Sequence, residues 1–253
     1  MLDIRSVSKR FGGAEVVAEV SLQVRAGEIA GLIGPNGAGK TTLFNLIAGS
    51  LKPTSGEIHI AGDEITDEKP FQRMARGLGR SFQIPRPFAE MTLLENMLTA
   101  AQNQLGERMI SNWILPLRVA REEGANAEKA LSLLEFLGLT RLAREPARVL
   151  SGGQRKLLEL GRVLMADPKL ILLDEPGAGV NPVLLDTIIE RIAEINRKGV
   201  TVFIIEHNMD LVSRLCRHVF VMAGGRILFE GSPAAAVRNP SVIDAYLGGG
   251  SSE

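Results

Sequence analysis

Short runs of aliphatic residues recur along the chain and break off at glycine or at a carboxylate. Ile29-Ala30-Gly31-Leu32-Ile33, Leu170-Ile171-Leu172-Leu173 and Val202-Phe203-Ile204-Ile205 are almost uniformly apolar, which predicts buried strands. For 170–174 the flanking Pro168 and Pro176 favour a strand of a parallel sheet. Residues 2–25 alternate instead, in LDIRSV and VSLQV on either side of Gly12-Gly13, and predict antiparallel strands; EIHIAG is a further short alternating strand. Apolar residues three and four apart predict helix from Thr92 to Leu142, then after Ser151 (Leu157, Leu160, Leu164), and over 183–198 up to Lys198-Gly199. Residues 67–80 are charged and mixed, and predict a helix and a loop. Residues 219–231 predict a hairpin turning at Gly224-Gly225, 234–247 a last short helix, and GGGSSE a flexible tail. The stretch 105–124 is less regular and holds Trp113, for which core or interface packing is the expectation. No repeat is present.

The chemistry gathers where these strands end. After Ile33 comes Gly34-Pro35-Asn36-Gly37-Ala38-Gly39-Lys40-Thr41, the G-x-x-x-x-G-K-[ST] pattern, with a strand before it and helical spacing after it. Such a loop turns its backbone N–H groups toward phosphate oxygens, and the helix behind it adds partial positive charge. Lys40 would reach the β- and γ-phosphates and the Thr41 hydroxyl would ligate Mg²⁺. Asp174 and Glu175 close the aliphatic strand at 170–173, at the edge where open α/β sheets bind ligands. Asp174 would hold Mg²⁺ and Glu175 would act on the attacking water. His207 ends the next apolar strand. Leu150-Ser151-Gly152-Gly153-Gln154 reads either as a capped helix start or as a second anion site, since two glycines and a hydroxyl let a phosphate approach closely. Phe11 is a core aromatic or an adenine-stacking ring, and Gln83 lies where a strand gives way to a proline-broken loop.

Composition narrows the class. The 253 residues carry 29 Lys+Arg and 29 Asp+Glu, and this balance argues against binding nucleic acid or an anionic membrane through a generally basic surface. One cysteine, Cys216, leaves no internal disulfide and no cysteine-rich metal site. MLDIRSVSKRF has charges among its apolar residues and is not a signal peptide, and no apolar run is long enough for a membrane helix.

In its order of motifs the chain resembles the nucleotide-binding subunits of ATP-binding cassette transporters. Phe11, GPNGAGKTT (34–42), Gln83, LSGGQ (150–154), LILLDEP (170–176) and His207 follow one another as in that family, and LSGGQ just upstream of the acidic strand is the specific element. The resemblance implies an α/β P-loop NTPase with a RecA-like core, an antiparallel β subdomain and an α-helical subdomain at about 84–160, all within one nucleotide-binding domain. It implies that Phe11 stacks on adenine. Gly34, Pro35, Asn36, Gly37, Ala38, Gly39, Lys40, Thr41 and Thr42 bind the triphosphate of ATP and its Mg²⁺. Gln83 senses the metal and the attacking water, Glu175 polarises that water, and His207 contacts the γ-phosphate. Ser151, Gly152, Gly153 and Gln154 bind the γ-phosphate held by the opposite subunit of a head-to-tail dimer.

Finer features (SFQIPRPF, DEPGAGVNP, IEHNMDLV and AYLG) resemble the branch that serves uptake of branched-chain, hydrophobic amino acids. The implied partners are a second copy or a sister ATPase, two separate transmembrane permease subunits and, indirectly, a periplasmic solute-binding protein. The implied place is the cytoplasmic face of the inner membrane. A cassette ATPase of iron–sulfur assembly type and a lipid or lipopolysaccharide exporter ATPase share the same phosphate chemistry and stay open here. Two departures stand out: Asn181 where most members carry aspartate, and Phe11 in place of the commoner tyrosine.

Overall fold

A computed structural model describes residues 1–81, 86–102, 104, 106 and 113–247. They divide into two compact units, one built from the described residues within 1–83, 169–178 and 186–247 and the other from those within 84–168 and 179–185. Gln83 and the tail 248–253 lie outside the described residues.

The first unit holds two sheets. β1 (Leu2–Phe11), β2 (Ala14–Val24), β4 (Ser55–Ile60) and β5 (Asp63–Glu64) form an antiparallel sheet in the order β2-β1-β4-β5. The six-stranded sheet runs β10-β9-β3-β8-β7-β6, from β3 (Ile29–Ile33), β6 (Leu78–Arg80), β7 (Leu170–Asp174), β8 (Thr201–Ile205), β9 (His218–Ala223) and β10 (Arg226–Gly231). Its inner strands are parallel, and only the β9–β10 hairpin is antiparallel. The uniform aliphatic runs are explained by burial on both faces: every residue of β3, β7 and β8 is buried. Phe203 of β8 stacks at 5.1 Å on Phe44 and meets Phe220 edge-on at 6.2 Å, which locks α1 (Lys40–Ile47) onto the sheet.

The register matters for function. Leu32 pairs with Ile205 and Ile205 pairs with Asp174, so β3, β8 and β7 end together at one edge of the sheet. Gly34, Glu206-His207 and Glu175 therefore leave the sheet side by side.

Four local expectations change. Within 67–80 only Pro70–Ala75 is helical (α2), and Leu78–Arg80 becomes the edge strand β6, too short to show alternation. Arg73 of α2 is fully buried, its Nη1 donating to the carbonyls of Leu46 (2.6 Å) and Ile47 (2.7 Å), which closes the C-terminal end of α1.

In the second unit helix is not continuous from Thr92 to Leu142. Among the described residues it includes α3 (Leu93–Leu98) and α4 (Pro116–Phe136), which pack with α5 (Gly152–Leu164). Gly161 sits where a Cβ would come within 2.7 Å of Leu137 and 2.9 Å of Met97, so α5 approaches its neighbours at glycine distance. Trp113 is not in the core, being 91 % exposed.

After α6 (Pro182–Arg197) and α7 (Met209–Leu215), the last predicted helix is two: α8 (Pro233–Ala236) and α9 (Pro240–Leu247). Pro240 lacks an N–H and turns Asn239 away from helical geometry. No helix among the described residues is long and apolar enough to cross a membrane.

Candidate nucleotide site

The loop from Gly34 to Lys40 owes its path to two glycines. Gly34 adopts φ 149° with its α-carbon pressed against the carbonyl of Met222, where a side chain would collide. Gly39 adopts φ 99° as the N-cap of α1, and a Cβ there would stand 2.5 Å from the carbonyl oxygen of Val16. The loop encloses a cavity of about 310 Å³ lined by Val16, Asn36 to Thr42, Glu175 and His207.

Lys40 is buried, and its Nζ donates to the carbonyls of Gly34 (2.8 Å) and Pro35 (2.9 Å). Burial pulls its ammonium below the ordinary value, against the opposing pull of Glu175 and Asp174. Asp174 is 4 % exposed at the end of β7, and its backbone N–H donates to the Ser81 hydroxyl at 3.4 Å. Its Oδ1 is buried without a hydrogen-bond partner. Burial raises the Asp174 carboxyl above the usual carboxylate range; Arg80 and Lys40 oppose that rise, and Glu175 adds to it. A buried carboxylate oxygen without a partner suits a hard cation that takes oxygen ligands, so Asp174, with the Thr41 hydroxyl lining the loop cavity, fits Mg²⁺.

Glu175 holds a left-handed backbone, φ 49°, fixed by its N–H donating to the Ile205 carbonyl at 2.9 Å. Its Oε1 lies 3.0 Å from His207 Nε2. Glu206, not singled out by any sequence motif, organises both. This 2 %-exposed carboxylate accepts from the N–H groups of Gly177 (2.7 Å), His207 (2.9 Å) and Asn208 (3.0 Å). Its signal in the sequence was a charge directly after an aliphatic strand, the same signal that marked Asp174.

The structure therefore brings together Gly34 to Thr42, Asp174, Glu175 and His207. It does not place Phe11 on the cavity wall: that ring is 46 % exposed at the end of β1, with Lys9 Nζ 5.2 Å from its centroid. Ser151 to Gln154 belong to the other unit. There Ser151 caps α5, accepting from the Gln154 N–H at 3.3 Å, while Gln154 Oε1 accepts from the Ser151 N–H at 3.0 Å. Gly153 is pressed against Leu184, whereas nothing lies within 4 Å of a Cβ added at Gly152. Asn181 caps α6, accepting from the Leu184 N–H at 2.9 Å.

A phosphate loop leaving an inner strand of a largely parallel sheet, with acidic residues at the ends of β8 beside it and β7 one strand further, defines a P-loop nucleoside triphosphatase. Comparison with known proteins carries the assignment further. The chain belongs to the ABC transporter family, whose model matches residues 17–178, and a model described as branched-chain amino acid ATP-binding cassette transporter matches residues 226–251. The probable branched-chain amino acid transport ATP-binding protein LivG of Archaeoglobus fulgidus is 41% identical over 253 residues, which are 100% of this chain and 97% of that protein. A solved ATP-binding cassette of an ABC transporter, in its ADP conformation, superposes with a TM-score of 0.84 at 38% identity, over 98% of each chain. A dimeric cassette in a post-hydrolysis state, bound to ADP and Pi, aligns with a TM-score of 0.74 at 25% identity, over 92% of this chain and 99% of that one. This chain is accordingly the ATP-hydrolysing cassette of a transporter.

Proposed function

We propose that the chain powers an importer of branched-chain or other amino acids by hydrolysing Mg²⁺-ATP at the cytoplasmic face of the membrane, on two separate permease subunits fed by a solute-binding protein. The observation that carries the hydrolytic part is the convergence of Lys40, Glu175 and His207 on the phosphate-loop cavity, with Asp174 close enough to act on the Lys40 charge. The names of the relatives support the solute class.

ATP enters with its β- and γ-phosphates against the loop, and Lys40 exchanges the carbonyls of Gly34 and Pro35 for phosphate oxygens. Asp174 and Thr41 hold Mg²⁺, which neutralises phosphate charge when bound. Glu175 accepts a proton from the attacking water, and His207 donates to the γ-phosphate. Phe11 packs on adenine, and Gln83 senses the metal and the water.

The second unit serves a second copy or a sister ATPase. Gly152 is not required by the fold of this chain, because an added methyl would meet nothing. A glycine kept where its own fold leaves room suits close approach of an outside phosphate, and Ser151 with Gly152 and Gly153 provides it at the start of α5. Two ATP molecules then join two cassettes, and loss of the γ-phosphate contacts on hydrolysis releases them.

The test is a pull-down of tagged Glu175→Gln protein from native membranes with ATP and Mg²⁺. Two polytopic permeases and a second cassette are expected, and the associated binding protein names the solute. Recovery of soluble assembly factors alone overturns the transport reading.

A further inference from the structure

The AYLG motif near the end of the chain has no role in the nucleotide chemistry so far. Its Tyr246 is the only tyrosine in the sequence and lies in the last turn of α9. That helix turns Val242 inward, at 4 % exposure, and leaves an apolar cavity of about 250 Å³ whose walls include Ile33, Met209, Val242 and Tyr246. Ile33 is the last residue of β3, directly before the phosphate loop, and Met209 opens α7 just beyond His207. The helix therefore leans on both segments that carry the nucleotide site.

Tyr246 does more than pack. Its phenol oxygen accepts a hydrogen bond from the backbone N–H of Gly34, the first residue of the phosphate loop. Burial raises the phenol above its ordinary value, and this N–H draws it back. Gly34 is thus held at three points. Its carbonyl accepts from Lys40 Nζ at 2.8 Å, its α-carbon lies where an added Cβ would come within 2.0 Å of the Met222 carbonyl oxygen, and its N–H goes to Tyr246. The first two contacts belong to the loop and the sheet, whereas the third comes from the far end of the chain. The first is also the one that ATP breaks, because Lys40 must leave the Gly34 carbonyl to reach phosphate.

We propose that Tyr246 is a positioning residue for the phosphate loop: its phenol oxygen fixes the Gly34 N–H, so that the loop stays aimed at the phosphates when Lys40 changes partner. Ordering a loop on binding subtracts from affinity, and a loop held in advance binds ATP more tightly. The chemical step is not involved, since Glu175 and His207 are placed by the ends of β7 and β8 and by Glu206. Linkage makes the effect reciprocal: if the seated phenol favours ATP, bound ATP favours the seated phenol, and α9 senses whether the loop is occupied. The inference rests on the phosphate-loop reading of Gly34 to Thr42.

Tyr246→Phe keeps the ring and its packing and removes only the phenol oxygen. In the full chain, KM for ATP is expected to rise about three- to tenfold, the worth of one hydrogen bond, while kcat stays close to the parent value. A side chain that only packs would lower the melting temperature without this split. Because tyrosine occurs once, protein labelled with 3-fluorotyrosine gives a single fluorine resonance. That resonance should move when Mg²⁺-ATP is added and stay in place with adenosine, which has no phosphates to bring to the loop. An unaltered KM in Tyr246→Phe, or a fluorine resonance that ignores Mg²⁺-ATP, overturns the proposal. Titration of Lys40→Ala with ATP keeps the two readings apart. Undiminished affinity there refutes the phosphate loop itself, whereas lost affinity there beside a parental KM in Tyr246→Phe refutes only the role of Tyr246.

Discussion

The carboxylate of Glu206 accepts a 2.7 Å hydrogen bond from the backbone N–H of Gly177, tying the end of β8 to the segment that leaves β7. Its other oxygen takes the N–H groups of His207 and Asn208. The positions of Glu175 and His207 thus depend on a buried carboxylate bonded to the backbone of the segments that carry them. Glu206→Gln turns an amide N–H₂ toward backbone donors, and Glu206→Ala leaves three buried donors unpaired. Either change costs roughly 1.5–3 kcal/mol of stability, the range for hydrogen bonds to a charged group. The turnover number falls with it, while ATP affinity, set by the phosphate loop, changes little. Urea unfolding and steady-state ATPase assays check this; an unchanged midpoint would show that Glu206 is not a structural tie.

How far such relationships can be read from sequence depends on whether a residue's reason lies nearby in the chain. The phosphate loop, the aliphatic strands and the Ser151 cap are local patterns, and each stands where the sequence places it. Leu78–Arg80 is a strand only because β7 pairs with it, so a three-residue segment carried no period of its own. Arg73 lies in a charged, mixed segment with nothing local to single it out, and its role is set by the carbonyls of Leu46 and Ile47, 27 and 26 residues away. Glu206 carries the same local signal as Asp174, a charge directly after an aliphatic strand, but its tie to Gly177 spans 29 residues and shows only in the fold. By its type Trp113 suits core or interface packing, and only the fold shows that it is not in the core.

Lys40 holds two carbonyls of its own loop, and so it is pre-placed for phosphate without being free. Lys40→Ala removes the charge that pairs with the β- and γ-phosphates and weakens ATP binding about tenfold or more. Titration with a fluorescent ATP analogue measures it. Unchanged affinity would refute the phosphate-loop assignment.

The two glycines of the signature segment separate folding from function. Gly153→Ala drives a methyl into Leu184, which must shift, at about 1–3 kcal/mol. Gly152→Ala meets open space and leaves the melting temperature unchanged or slightly higher, since alanine is the better helix former by up to about 1 kcal/mol. Only its ATP-dependent self-association and ATPase rate fall. Size-exclusion chromatography with ATP, read beside thermal melts, distinguishes the two. Normal association in Gly152→Ala would remove the phosphate role of that glycine.

Glu175 and His207 approach to 3.0 Å across the mouth of the loop cavity. Glu175→Gln keeps the shape and the hydrogen bond but cannot take a proton. Turnover falls by about 10²–10⁴-fold with ATP binding retained, and the ATP-bound protein accumulates as a dimer on gel filtration. Near-normal hydrolysis would move the base to another residue.

Asp174 is a case in which function opposes stability. Burial raises its carboxyl above the ordinary aspartate value of 3.8. A carboxyl whose pKa is higher in the folded than in the unfolded chain binds its proton more tightly in the fold. Its contribution is therefore most favourable at low pH and declines as pH rises through the unfolded value toward the folded one. Without nucleotide, Asp174→Asn should match the parent protein in acid and melt a few degrees higher near neutrality. Its advantage should grow as pH climbs from the ordinary aspartate range. With Mg²⁺ and ATP the order reverses, because the ion supplies the counter-charge that burial withholds and the asparagine cannot use it. Thermal melts of both proteins across this pH range, with and without Mg²⁺-ATP, provide the four curves. A difference in melting temperature that stays constant with pH would show that the Asp174 carboxylate is not the group whose charge the fold resists.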